Sequence, residues 1–283
     1  MKTYLECIPC LLRQGVEAAQ LATEDEQLQH AVVEAILERL RGVSPKERPV
    51  DIAPAVHAIV RRITGCDDPY RQVKNDSNRL ALAAYATASA IVSASADPLL
   101  AAARMAAAGN IADSAVGRSF DFEAAIQQAA RNDFALNDYA QFKAGVEGAE
   151  HVLYLADNAG EIVFDGLLLE RMSGKQRTVA VKAQPILNDA TADDARTARL
   201  DRFATVIAAG DAWPRPDLQG ASDGLRTAFG DADVIIAKGQ GNYEALSECD
   251  GKVFFLLIVK CPVVARDLGV AVGDLVLKKA GSR

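Results

Sequence analysis

The run His151-Val-Leu-Tyr-Leu-Ala-Asp157-Asn158-Ala-Gly160-Glu161 decides the fold class. An unbroken apolar stretch ends abruptly in a carboxylate, an amide and a glycine. A short apolar run closed in this way reads as a buried strand, and in open parallel sheets ligands collect beyond the carboxyl ends of the strands. Asp157 and Asn158 offer hard oxygen donors that suit magnesium or manganese better than zinc. The same two residues also suit a plain strand-to-helix turn, with Asn158 capping a helix that begins near Ile162-Val163-Phe164. Taken alone, the motif divides evenly between these readings.

Further apolar runs follow at Arg177–Ala183, Ala204–Ala208, Asp233–Ala237 and Val253–Val259, with a short last strand at Leu275–Lys278. Amphipathic helical stretches separate them at Ile162–Met172, Ala192–Leu200, Ser222–Phe229 and Tyr243–Glu248. That alternation predicts an α/β fold with a mostly parallel, doubly wound, Rossmann-like sheet. Before it, Leu5 to Ala130 is rich in Ala, Leu, Arg, Glu and Gln, with helical periodicity in Leu28–Leu40 and Leu80–Ala94. The Ala-biased stretch Ala86–Ala108 follows from helix propensity. The expected organisation is an α-helical N-terminal region over residues 1–145 and a Rossmann-like domain over 146–283 carrying the site.

Composition narrows the function. Half of the 283 residues are hydrophobic and the formal charge is −7, which suits a substantial core and argues against general binding to nucleic acid or anionic membranes. The chain shows neither a membrane-length apolar run nor a signal peptide at its start, so a cytoplasmic location is expected. Five scattered cysteines do not suggest a disulfide framework, and Cys7-x-x-Cys10 reads as a pair of reduced structural thiols. None of the three histidines forms a metal-binding pair, which disfavours histidine-based zinc hydrolysis.

Several strand ends carry polar groups. After Arg177–Ala183, Gln184-Pro185-Ile186-Leu187-Asn188-Asp189-Ala190-Thr191 places a second carboxylate, Asp189, at the same end of the sheet; Thr191, Asp193 and Asp194 read as the capped start of a helix. Ile236-Ala237-Lys238-Gly239-Gln240-Gly241-Asn242-Tyr243-Glu244 combines glycines that let backbone amides approach an anion with a lysine suited to phosphate. It is neither a Walker loop nor a dinucleotide fingerprint, and a tight turn would look alike. Lys260 closes the next strand as a substrate ligand or a solvated charge. Cys261 reads as a small buried hydrophobe. The helical half holds three polar islands: Cys7-x-x-Cys10, Asp68-Pro69-Tyr70 through Lys74 and Asn78 to Arg79, and Gly109-Asn110-Ile111-Ala112-Asp113.

In this order, over nearly the whole chain, these motifs resemble the damage-control, metal-dependent phosphatases, domain-of-unknown-function family 89, in its compact microbial branch. The resemblance rests on Cys7-x-x-Cys10-Leu-Leu, Asp68-Pro69-Tyr70 with Lys74 and Asn78, Gly109-Asn110-Ile111-x-Asp113, Asp157-Asn158-Ala-Gly160-Glu161, Asn188-Asp189-x-Thr191, Lys238-Gly239-x-Gly241-Asn242-Tyr243-Glu244 and Lys260-Cys261. It departs from the pattern at Ala112 and at Asp211-Ala212-Trp213-Pro214. The resemblance implies a helical region packed on a Rossmann-like sheet, one divalent cation (manganese, cobalt, nickel or magnesium) held by Asp157, Asn158 and Asp189, and hydrolysis of small phosphate esters such as sugar phosphates or damaged metabolites.

The expected chemistry places the cation and Lys238, joined by Lys260, against the phosphate dianion. Asn110, Asp113, Gly239, Gly241 and Asn242 are expected to orient substrate or water, and Glu161 to organise the cation's surroundings. Two rival classes share the same sheet: an S-adenosylmethionine-dependent transferase, which has no need of an Asp-Asn-Asp cluster, and a non-catalytic metal or metabolite sensor. The expected partner is a small phosphorylated metabolite; the sequence carries no signal of oligomeric state.

Overall fold

The computed structural model describes residues 1–44, 46–109, 127–129, 131–210, 217–249 and 251–282. Among them the helical half supplies α1 (Cys7–Ala22), α2 (Glu26–Arg41), α3 (Pro49–Thr64), α4 (Arg71–Ala94) and α5 (Pro98–Ala108). There follow β1 (Phe134–Asn137), α6 (Tyr139–Gly148), β2 (His151–Leu155), α7 (Glu161–Arg171), β3 (Gln176–Val181), α8 (Ala192–Thr197) and β4 (Thr205–Ala208). The chain closes with α9 (Asp223–Asp231), β5 (Val234–Lys238), α10 (Gly239–Leu246), β6 (Val253–Ile258), α11 (Pro262–Leu268) and β7 (Leu275–Lys279).

Local chemistry accounts for many of these boundaries. Asp25 caps α2 by accepting from Gln27 N and Leu28 N, and Asp97 caps α5 through Leu100 N with Pro98 in its first turn. Val32, Ile36 and Leu40 recur every four residues along α2 and meet α1 and α3 in a small core of their own. In α5 the alanines have a packing role beyond propensity. Ala101–Ala103 and Ala106–Ala108 are all buried, and with no side chain beyond Cβ they let α5 lie closely against α7.

The sheet has seven strands in the order β1-β7-β6-β5-β2-β3-β4. Every neighbouring pair is parallel except β6 with β7. Alternation along each strand separates two cores. Val152, Tyr154, Val234 and Ile236 face α4, α5 and α7, while Leu153, Leu155, Ile235 and Ala237 face α10 and α11. From β2 the chain moves to β3 on one side, and β5 lies on the other, so the carboxyl ends of β2 and β5 flank the topological switch point. Among the described residues no helix is long and apolar enough to cross a membrane.

The mixed α/β architecture and the mostly parallel sheet are as expected, but the division at 145/146 falls inside α6. That helix and β1, which lies before the expected boundary, belong to the sheet: β1 pairs with β7, and the Phe142 ring meets Phe254 edge-on at 5.5 Å. Strand β1 escapes sequence reading because it is four residues long and buries only Phe134 fully. Helices α4 and α5 also share one core with the sheet. If α6 is integral, Phe142→Ala should cost about 3–5 kcal/mol, read as a lowered urea midpoint with an unchanged slope.

Candidate active site

Beyond β2 the chain makes a second, short pairing. Ala156 N still donates to Ala180 O at 3.0 Å; then Ala190 N donates to Asp157 O at 2.7 Å and Ala159 N to Asn188 O at 2.9 Å. Asn158 and Asp189 are thus antiparallel bridge partners, and the pairing brings Asp157, Asn158 and Asp189 together. Asn158 Nδ2 donates to Asp157 Oδ2 at 2.8 Å and to Glu161 Oε2 at 3.3 Å. With both protons of the amide spent on carboxylates, its oxygen is the atom available to a cation.

Two glycines allow the close approach. Gly239 has φ +74°, and a Cβ there would fall onto the Asp157 carboxylate, so the start of α10 abuts that side chain directly. Gly160, at φ +76°, faces Ser77 of α4, whose Cβ would lie 2.9 Å from an added methyl.

Charge is unbalanced at this point. Desolvation first, then the neighbouring Glu161 and Asp189, push the Asp157 carboxyl well above the ordinary carboxylate range; Lys182 and Lys260 only partly oppose this. Lys182, buried beyond β3, pairs with Asp189 Oδ2 at 3.6 Å. Among the described residues no three of His, Cys, Asp and Glu form a metal-holding group. Asp157, Asn158 and Asp189 present two carboxylates and an amide oxygen, all hard donors, in surroundings that repel further negative charge. A divalent cation fits such a set.

Beneath the site lies a buried ionic cluster. Lys238 Nζ donates to Glu161 Oε1 at 2.5 Å, Asp165 Oδ1 at 2.7 Å and Ala106 O at 2.9 Å, and the residue is fully buried. Tyr154 OH donates to the same Asp165 oxygen at 2.7 Å. Burial raises the Asp165 carboxyl to about 6 against the pull of Lys238. Burial alone would lower Lys238, but Asp165 and Glu161 outweigh it and hold the ammonium above its ordinary value.

A second network braces the Asp157 loop from the helical half. Lys74 pairs with Asp68 at 2.7 Å and with Asp194 at 3.4 Å. Asn78 donates to Asp194 Oδ1 at 2.9 Å and accepts from Gly160 N at 2.7 Å. Asp194 closes a capping box with Thr191 at the start of α8. The polar island at 68–79 is thus a clamp between α4, α8 and the loop after β2.

A cavity of about 260 Å³ opens over the strand ends. Asp157, Asn158 and Asp189 form part of its wall with Gln240, Gly241, Glu244 and Lys260, while α1 and α3 cover it with Cys7, Cys10, Leu11, Val50 and Ala53. Burial pushes the Cys7 thiol up, which opposes thiolate chemistry there.

Four expected site residues do not line the cavity: Glu161 and Gly239 lie behind Asn158 and Asp157, which they touch, and Lys238 and Asn242 lie elsewhere. Lys238 does not line the cavity, and its three protons are taken up by protein oxygens. Residue parity along β5 sets it in line with Ile236, on the face covered by α5 and α7, so it cannot meet a phosphate across the cavity. Asn242 is buried and does not line the cavity either: its Nδ2 donates to Lys238 O at 2.7 Å, Ala156 O at 3.2 Å and Leu155 O at 3.4 Å, stapling α10 to the ends of β5 and β2. Asn110, Asp113, Ala112 and Asp211–Pro214 lie outside the described residues.

Sequence reading missed four residues. Gln240 Oε1 accepts from Lys260 N and Cys261 N, both at 2.8 Å. Lys182, Glu244 and Asp165 also carried no assigned role. Only Asp165 left a usable signal: with Glu161 it forms an i,i+4 pair of acids on one face of an otherwise apolar helix.

Comparison with known proteins defines the class. The family model of the damage-control phosphatase ARMT1-like domain matches residues 3–276, and the chain belongs to that family. A damage-control phosphatase of Archaeoglobus fulgidus is 36% identical over 288 residues, covering 98% of this chain and 99% of its own. A damage-control phosphatase of Pyrococcus horikoshii is 34% identical, with 98% and 97% covered. The crystal structure of a DUF89 family protein from Pyrococcus horikoshii superposes with a TM-score of 0.90 at 32% identity, over 99% of both chains. These relatives support a general phosphatase, damage-control role.

Replacing the buried ammonium in Lys238→Met should cost about 3–5 kcal/mol near neutral pH, since two buried carboxylates lose their counter-charge. In the variant the Asp165 carboxyl, already raised by burial, loses the opposing pull of Lys238 and should titrate higher still. Groups raised in this way favour the fold below the unfolded pKa and lose that contribution as pH rises through the folded one. Urea unfolding of wild type and variant should therefore show a smaller difference at about pH 5 than at about pH 7.

Proposed function

We propose that this protein is a divalent-metal-dependent phosphatase acting on small phosphate monoesters, such as sugar phosphates or damaged phosphometabolites. The observation that carries the reading is the meeting of Asp157, Asn158, Asp189 and Lys260 at one cavity beside the switch point of the sheet. In this reading Asp157, Asn158 and Asp189 hold one manganese, cobalt, nickel or magnesium ion. When bound, such an ion supplies charge neutralisation at the phosphoryl group and acidifies water.

The chain's own residues do the rest. Lys260, an exposed residue on the cavity wall, meets the dianion there as a compact ammonium. Gly239 leaves room for the Asp157 carboxylate, and Gly241 keeps the wall free of side chain. Glu161 fixes the Asn158 amide and is itself held by Lys238, which makes Lys238 a positioning residue. Lys182 restrains Asp189. Water attacks phosphorus, the ester P–O bond breaks, and the alcohol and inorganic phosphate leave.

Phosphate release from p-nitrophenyl phosphate and sugar phosphates, assayed with each of the four metals, tests the reading. Chelation should abolish turnover, and Asp157→Asn and Asp189→Asn should each lower kcat by about 10²–10³-fold. An Asp157→Asn protein with full metal-dependent activity would overturn the assignment.

A further inference from the structure

One acidic group on the cavity wall has no place in the chemistry above. Glu244 lies on α10 one turn after Gln240, so the two side chains stack on the face turned to the cavity. The helix starts where Gly239 touches the Asp157 carboxylate. Glu244 is five residues further on, about 7.5 Å along the axis, with its side chain tilted back toward that end. Asp157 and Glu244 line one cavity, so an ester bound at Asp157 shares that cavity with Glu244.

The other polar side chains of α10 are engaged. Gln240 accepts from the Lys260 and Cys261 amides, Asn242 donates to three carbonyls, and Tyr243 OH donates to Asp267 Oδ2 at 2.6 Å. Among the described residues the Glu244 carboxylate makes no hydrogen bond or ion pair. Burial raises it to about 7, opposed by the charge on the Met1 amine. That amine makes its hydrogen bond to the Glu244 backbone oxygen, at 2.9 Å. The cavity that Glu244 lines also carries the thiols of Cys7 and Cys10 and the apolar side chains of Leu11 and Val50. The Glu244 side chain is half-buried and lines the cavity, so a ligand there meets a carboxylate acceptor that no side chain of the described residues occupies.

Resting on the phosphatase reading, we propose that Glu244 is the specificity-determining residue of the cavity: it accepts a hydrogen bond from a hydroxyl or ammonium group on the leaving alcohol and repels an alcohol that carries its own anion. The substrate class is then phosphomonoesters of neutral polyols or amino alcohols, with phosphocarboxylates and bisphosphates excluded.

The test compares manganese-loaded wild type, Glu244→Gln and Glu244→Leu at about pH 8, where a carboxyl of this kind is ionised. Dissociation constants for glycerol phosphate and for phosphoglycolate are measured by calorimetry, with kcat/KM for both alongside. The readout is their ratio, which is insensitive to the fraction of folded protein. Wild type should favour glycerol phosphate by about tenfold or more, and Glu244→Gln should erase most of that preference by tightening phosphoglycolate. Glu244→Leu should in addition weaken glycerol phosphate by about tenfold. A ratio in Glu244→Gln within about twofold of wild type overturns the proposal, since removing a like charge is expected to shift it further. If wild type hydrolyses neither ester, the phosphatase reading fails, while the binding ratio still decides the role of Glu244.

Discussion

The interaction on which the rest of the structure depends is the contact of the Lys238 ammonium with Glu161, Asp165 and the Ala106 carbonyl. It joins the end of β5 to both acids of α7 and to α5 in a place water does not reach. A charge so buried is tolerable only when it is fully paired. The three elements must therefore arrive together, and α5 belongs to the sheet's core in spite of its distance along the chain. Glu161 passes the constraint upward: one of its oxygens holds Lys238 and the other accepts from Asn158. The orientation of the amide beside Asp157 is thus set from below, by a lysine that never meets the cavity.

Lysines at neighbouring strand ends serve different purposes because strand parity turns them to different faces. Lys182 continues the line of Ala180 and pairs with Asp189, while Lys238 continues the line of Ile236 and points under α5. Lys260 follows β6 and reaches the cavity. An acidic protein that handles an anion needs local cations, and this chain places one at the cavity wall and uses two more to restrain carboxylates. Burial first, and then repulsion from Glu161 and Asp189, raises Asp157; a bound cation would oppose both.

Strands β2 to β7 were legible from their apolar runs, as was the gathering of acids at their carboxyl ends, because burial and pairing leave a local signature in hydrophobicity. What was not legible depends on partners distant in sequence. Lys238 beside Gly-x-Gly reads locally as a phosphate ligand; its actual partners lie 77 and 73 residues earlier, on α7. The island at 68–79 likewise makes sense only once Asp194 and Gly160 stand beside it. The 145/146 boundary failed for the opposite reason: β1 is too short to announce itself, so a helix that packs on the sheet looked like the end of the helical half.

The roof over the cavity follows from backbone hydrogen-bonding needs as much as from apolar packing. Arg61 Nη1 donates to Pro185 O at 2.9 Å, and Arg48 Nη1 donates to Ala245 O at 3.0 Å while its other nitrogens hold Asp51. These bonds attach α3 to the loop that carries Asp189 and to the helix that carries Glu244. Without that cover the switch point would be an open crevice in high-dielectric solvent, where a lysine and two carboxylates act weakly on a phosphate. Drawing α1 and α3 over it strengthens each electrostatic contact inside. The same cover sharpens the repulsion between Asp157 and Asp189, so enclosure and the demand for a counter-charge rise together.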